Sequence, residues 1–67
     1  MRLRNRIKYL RRSEGYDLTQ EQFAKILGIS RVHLGYIERG EVIPSGMIML
    51  KIADFFDRDP RDIFFYS

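Results

Sequence analysis

Residues Leu18 to Gly40 read LTQEQFAKILGISRVHLGYIERG, and this stretch holds two helix starts and two glycine stops. Thr19 followed three residues later by Gln22 is a capping box, and Leu18 and Phe23 flank it as a hydrophobic staple, so a helix begins there. Phe23, Ala24 and Leu27 form its buried side, and Gly28 supplies the left-handed residue that ends it. Ile29 and Ser30 repeat the arrangement. Ser30 is an N-cap and Ile29 is set to pack on Leu34. The spacing predicts a second helix from Arg31 to about Arg39, ended by Gly40, with Leu34 and Ile37 inward. Arg31, Val32, Gly35, Tyr36 and Arg39 then lie outside, with His33 at the margin. A solvated face would carry Glu and Lys, so this face is expected to meet something other than water. Two helices joined by a turn of about three residues containing a glycine form a helix-turn-helix.

The flanking sequence extends the helical reading in both directions. Leu3, Ile7 and Leu10 recur at i, i+4, i+7 and predict an amphipathic first helix that Gly15 ends. Pro44 and Ser45 open a fourth helix with Met49, Ile52, Ala53 and Phe56 on one face, and the cluster of Met47, Met49, Phe55 and Phe56 reads as core. Asp59-Pro60-Arg61-Asp62 starts a short fifth helix carrying Ile63 and Phe64. The only strand signal is in the tail, Phe64-Phe65-Tyr66. The expected fold is therefore all-α, a compact five-helix bundle around a central helix-turn-helix. A chain of 67 residues buries only roughly 60% of its unfolded surface, so residues 1–67 make one domain.

Composition removes several function classes. With no cysteine there is neither a disulfide nor a thiolate metal site, and the single histidine, His33, leaves almost no material for a metal site or a catalytic dyad. No cofactor, no metal and no enzymatic activity are expected. No apolar run approaches the roughly 18 residues of a membrane span, and the start MRLRNRIKYLRR lacks a signal peptide's apolar segment. A cytoplasmic, membrane-free protein is expected. The net charge is only +3, yet Arg2, Arg4, Arg6, Lys8, Arg11 and Arg12 crowd the first segment. That asymmetry points to a polyanion, or simply to the solvated face of a helix. A membrane-surface helix would also be basic and amphipathic, but the caps and core stripes describe a globule.

The stretch resembles the phage repressor and Cro type of helix-turn-helix regulator, whose core pattern is L-T-Q-x-x-x-A-x-x-x-G-x-S-x-x-x-(L/I)-x-x-(I/L)-E-x-G, with Pro-Ser opening the next helix. The likeness runs from Ile7 to about Phe64. It implies a sequence-specific regulator of double-stranded DNA, a repressor that blocks RNA polymerase, with helix three (about 31–39) in the major groove. It implies base contacts from Arg31, Val32 and Tyr36; Gly35, on the same helix, reads either as a base-contact position that allows close approach to the DNA or as a tolerated surface glycine. Gln20 matches the phosphate-facing glutamine, and Ser30, His33, Arg39 and Arg6 are assigned to the phosphates around it. Arg11 and Glu38 match an ion pair linking helix one to the end of helix three. Three departures stand out: Tyr16-Asp17 is inserted after Gly15, Gly46 replaces a leucine, and Asp57-Arg58 replaces Gly-Val. The alternative reading is an antitoxin-like protein-interaction module on the same fold, with an unknown protein partner.

The tail adds an expectation about assembly. Phe64, Phe65 and Tyr66 in succession cannot all turn inward, so residues 64–67 are read as a dimerisation tail. A homodimer would read a roughly palindromic operator.

Overall fold

The computed structural model describes residues 1–67. The element order is β1 (Leu3–Asn5), α1 (Ile7–Arg12), α2 (Gln20–Leu27), α3 (Arg31–Glu38), α4 (Gly46–Phe56), α5 (Pro60–Ile63) and β2 (Phe64–Tyr66). Four of the five helices, α2 to α5, start where the capping residues place them. The Thr19 hydroxyl accepts the Gln22 N–H at 3.1 Å, while the Gln22 side chain accepts the Thr19 N–H at 2.9 Å, completing the capping box. Ser30, Ser45 and Asp59 cap α3, α4 and α5 through the N–H groups of His33, Ile48 and Arg61. Gly28 ends α2 with φ of 76°, a conformation that favours a residue without Cβ.

The fold is not all-α. β1 and β2 pair antiparallel in the register Leu3↔Tyr66, Arg4↔Phe65 and Asn5↔Phe64, so the two ends of the chain close on each other. The amphipathic first helix is accordingly shorter than its apolar spacing predicts. It starts at Ile7, because the Arg6 N–H is drawn to the Ile63 carbonyl at 2.9 Å and residues 3–5 donate and accept across the sheet instead. It ends at Arg12, before Gly15, with Ser13 donating from its hydroxyl back to the Leu10 carbonyl at 2.6 Å. Phe64 likewise leaves α5 for β2.

One cluster forms the core: Ile7, Leu10, Phe23, Ala24, Leu27, Leu34, Ile37, Ile52, Ala53, Phe56, Ile63 and Phe64. Met49 and Phe55 pack on its edge, but Met47 is 68% exposed and lies outside it. Met47 is one residue into α4, on a face no other helix covers. The Tyr16-Asp17 insertion has a structural role. Tyr16 stacks edge-on against Phe56 at 4.9 Å between centroids and lies 5.7 Å from Phe55, fastening the α1–α2 connection to α4. Asp57, in the place of a glycine, adopts the left-handed conformation at the end of α4 with φ of 53°.

Candidate nucleic-acid interface

α2 and α3 position the candidate site. Ala24 is small enough for α3 to cross close over α2, and Leu34 and Ile37 anchor α3 against Phe23, Leu27 and the rest of the core. Burying those two residues turns Arg31, Val32 and Tyr36 outward; Val32 is 57% exposed and Tyr36 43%. Val32 and Tyr36, one turn apart, share one face. The Arg39 guanidinium lies 5.1 Å from the Tyr36 ring centre and is paired with Glu41 at 2.9 Å. The side of α3 away from the core is therefore a convex row of cationic, aliphatic and aromatic groups, with the shape and chemistry to enter a major groove.

At one edge of this row lies a buried ion pair. Arg11 Nε and Nη2 donate to Glu38 Oε2 and Oε1 at 2.7 and 3.0 Å, in the bidentate geometry of guanidinium and carboxylate. Their side chains are 8% and 4% exposed. Arg11 Nη1 also donates to the Leu18 carbonyl at 3.1 Å. Glu38 Oε1 accepts a further bond, from Gln20 Nε2 at 3.1 Å. An amide nitrogen carries two hydrogens, so Gln20 is held in place with one donor still free for an external acceptor. The N–H groups of Gln20 and Glu21, in the first turn of α2, have no intrahelical partner and add a partial positive charge beside that donor.

The remaining site residues fall into different places. Gly35 is buried rather than on the outer row: a Cβ built there would lie 3.2 Å from Arg39 Nη1 and 3.6 Å from Gln20 Nε2, so those side chains cover it. Ser30 is spent on capping, its oxygen accepting the His33 N–H at 3.0 Å, and the His33 ring is half-buried at the rim. Arg6 is engaged at the C-terminal segment, with its guanidinium 4.4 Å from the Phe65 ring centre and Nη1 donating to the Asp62 carbonyl at 3.0 Å. Much of the N-terminal basic crowding thus has an internal use: Arg2 donates to the Gly40 carbonyl, Arg6 covers Phe65, and Arg11 is buried with Glu38. Arg4, Lys8 and Arg12 remain exposed. Of the tail aromatics, Phe64 closes the core, Phe65 is half-buried under Arg6, and Tyr66 alone is exposed. Tyr66 shares a shallow depression with Met1, Leu3, Gly40 and Ile43.

Two side chains at this end of the molecule carry no sequence signal. Asn5 and Arg2 reach the carbonyls of Ile37 and Gly40 at the end of α3, at 2.8 and 2.9 Å. They fall in a segment whose apolar spacing reads as helix, and only the β1–β2 pairing brings them there.

No three His, Cys, Asp or Glu side chains gather in a way that could hold a metal, and no helix is long and apolar enough to cross a membrane. Residues 7–63 match the family described as helix-turn-helix, and the chain belongs to that family, to the phage repressor and Cro type of DNA-binding transcriptional regulators. Its relatives carry the same description. An HTH-type transcriptional regulator of Methanocaldococcus jannaschii is 44% identical over 65 residues, covering 97% of this chain and 96% of that one. The HTH-type regulator YazB of Bacillus subtilis is 53% identical over 49 residues, covering 73% and 68%. Among solved structures the chain is similar to the restriction-modification controller protein C.AhdI from Aeromonas hydrophila, with a TM-score of 0.70 and 37% identity over 85% of this chain and 83% of that chain.

Proposed function

We propose that this chain is a cytoplasmic repressor that binds a specific double-stranded operator by inserting α3 into the major groove. The observation that carries this reading is the pairing of an exposed Arg31, Val32 and Tyr36 row with a Gln20 side chain held beside it by the buried Arg11–Glu38 pair. In this reading Arg31 makes the bidentate contact to guanine O6 and N7, Val32 meets a thymine methyl, and Tyr36 reaches a neighbouring base edge. Gln20, the first turn of α2 and Arg39 take phosphates on either side. Gly35 serves the groove indirectly, by letting Gln20 and Arg39 lie flat on the helix. Repression follows from occupancy, because an operator-bound protein excludes RNA polymerase.

A homodimer deepens the reading. One recognition helix contacts only a few base pairs, whereas two-fold pairing sets two of them about 34 Å apart on one face of a roughly palindromic site. Tyr66 at the C-terminal end and Ile43 beside it in the α3–α4 connection, 69% and 73% exposed, are the apolar groups on which such a dimer would be built. The test is selection of bound duplexes from a random pool, followed by binding at increasing salt. A shared sequence is expected among the selected duplexes, with affinity falling at a slope of roughly −0.9 per phosphate neutralised. Binding that ignores both sequence and salt would overturn the proposal. Sedimentation as a monomer at operator-saturating concentration would remove the dimer.

A further inference from the structure

Asn5 stands where three elements meet. Its backbone pairs with Phe64 in the sheet. Its Oδ1 accepts the Ile7 N–H at 3.1 Å, so it satisfies the first donor of α1, which Arg6 at the N-cap position leaves without a side-chain bond. Its Nδ2 donates to the Ile37 carbonyl at 2.8 Å. That carbonyl also accepts the Gly40 N–H at 3.0 Å, so the end of α3 is held both from within and from the terminal sheet. Such an external hold has work to do. α3 has only eight residues and a glycine inside it, which weakens its own helical preference, and the exposed row must keep one orientation to be read against base edges. Ile37 is the last core residue of α3, and Tyr36, on the outer row, precedes it.

We propose that Asn5 is a positioning residue for DNA recognition, which ties the last turn of α3 to the β1–β2 sheet and so sets the pose of Tyr36 and Arg39. The role in recognition rests on the operator-binding reading above. Two variants separate the two bonds of the side chain. Asn5→Asp keeps the oxygen that accepts from Ile7 but sets a second oxygen against the Ile37 carbonyl in place of a donor. Asn5→Ser keeps a weaker version of the first bond, adds no charge and is too short to reach Ile37. Amide hydrogen exchange is read at Gly40 and Glu41, whose N–H groups bond to the Ile37 and Tyr36 carbonyls, and equilibrium binding is measured on the duplex that the wild type selects and on a scrambled duplex. Exchange at those two amides should quicken by roughly 3- to 10-fold, the net worth of one hydrogen bond, while core amides keep their protection. The operator-to-scrambled affinity ratio should shrink by a similar factor in both variants. A uniform rise in exchange through the core would overturn the proposal by making Asn5 a general stability residue. Unchanged exchange at Gly40 and Glu41 would overturn it as well. A wild type that prefers no duplex would defeat the operator reading and Asn5's part in it, whereas quickened exchange confined to the end of α3 would still support the brace itself.

Discussion

Removing one partner of the Arg11–Glu38 pair tests how the fold holds α3 and Gln20 in place. In Glu38→Ala, the Arg11 guanidinium keeps only the Leu18 carbonyl, at 3.1 Å, in a position where its side chain is 8% exposed. An uncompensated charge at such depth costs about 3–5 kcal/mol, and Arg11→Ala strands Glu38 in the same way. A chain of 67 residues has about 3–10 kcal/mol of total stability, at roughly 0.05–0.15 kcal/mol per residue. Either single variant should therefore approach unfolding at 25 °C, so chemical denaturation is best followed by circular dichroism in a stabilising osmolyte. The double variant leaves no charge stranded, and its loss should fall short of the sum of the singles by 0.5–3 kcal/mol, an order-of-magnitude coupling for residues in one network. Additive losses would refute the reasoning. A further variant separates stability from recognition: Arg11→Met with Glu38→Leu replaces the pair by apolar groups and should fold about as well as the wild type. It also removes the carboxylate that holds Gln20 at 3.1 Å, so operator affinity should fall even where stability does not.

Other expectations follow from single positions. Arg31→Ala should weaken operator binding by about 1–3 kcal/mol and relax selectivity at one base pair, whereas Gln20→Ala should weaken all duplexes alike; a selection repeated with each variant distinguishes them. Gly35→Ala should raise helix stability by up to about 1 kcal/mol, because the new Cβ meets the flexible end of Arg39 at 3.2 Å and lies in ordinary contact with Gln20 at 3.6 Å, yet should weaken DNA binding by displacing the Arg39 guanidinium; melting and titration of one sample read both. The Asp59 carboxyl is held below its ordinary pKa of 3.8, chiefly by the hydrogen bond from the Arg61 side chain. A lowered carboxylate contributes stability above the ordinary value and loses it as pH falls through the lowered one. Both groups lie at the surface, the Arg61 side chain 91% and the Asp59 side chain 48% exposed, so the effect is small. Asp59→Ser keeps a capping oxygen, and its melting temperature should converge on that of the wild type as the solution is acidified below the carboxylate range.

Local signals made the helices and much of the candidate site legible in the sequence. Thr19, Ser30, Ser45 and Asp59 act on N–H groups two or three residues away, and the apolar spacing of Phe23, Leu27, Leu34 and Ile37 settles which sides of α2 and α3 are inward. From that inward side the outward row of Arg31, Val32 and Tyr36 follows directly. Gly35 is covered rather than bare on the outer face because two long side chains lie over it, which its position in the sequence alone does not tell. Met47 stays exposed because a methionine cluster signals burial only when another element arrives to cover it.

Only the tertiary structure decided what happens where the chain ends meet. Leu3 and Ile7 have a helical spacing, but Leu3 to Asn5 become a strand because Phe64 to Tyr66 come back to pair with them from the opposite end of the chain. Propensity and periodicity act over a few residues and cannot anticipate that partner. The same closure turns Arg6 onto Phe65, buries Phe64, leaves Tyr66 exposed, and brings Asn5 to the end of α3. The residues that face outward on α3 are thus written in its own short segment, while what holds that segment in place comes from residues remote in sequence, because a hydrogen bond needs proximity in space and local pattern carries none of that information.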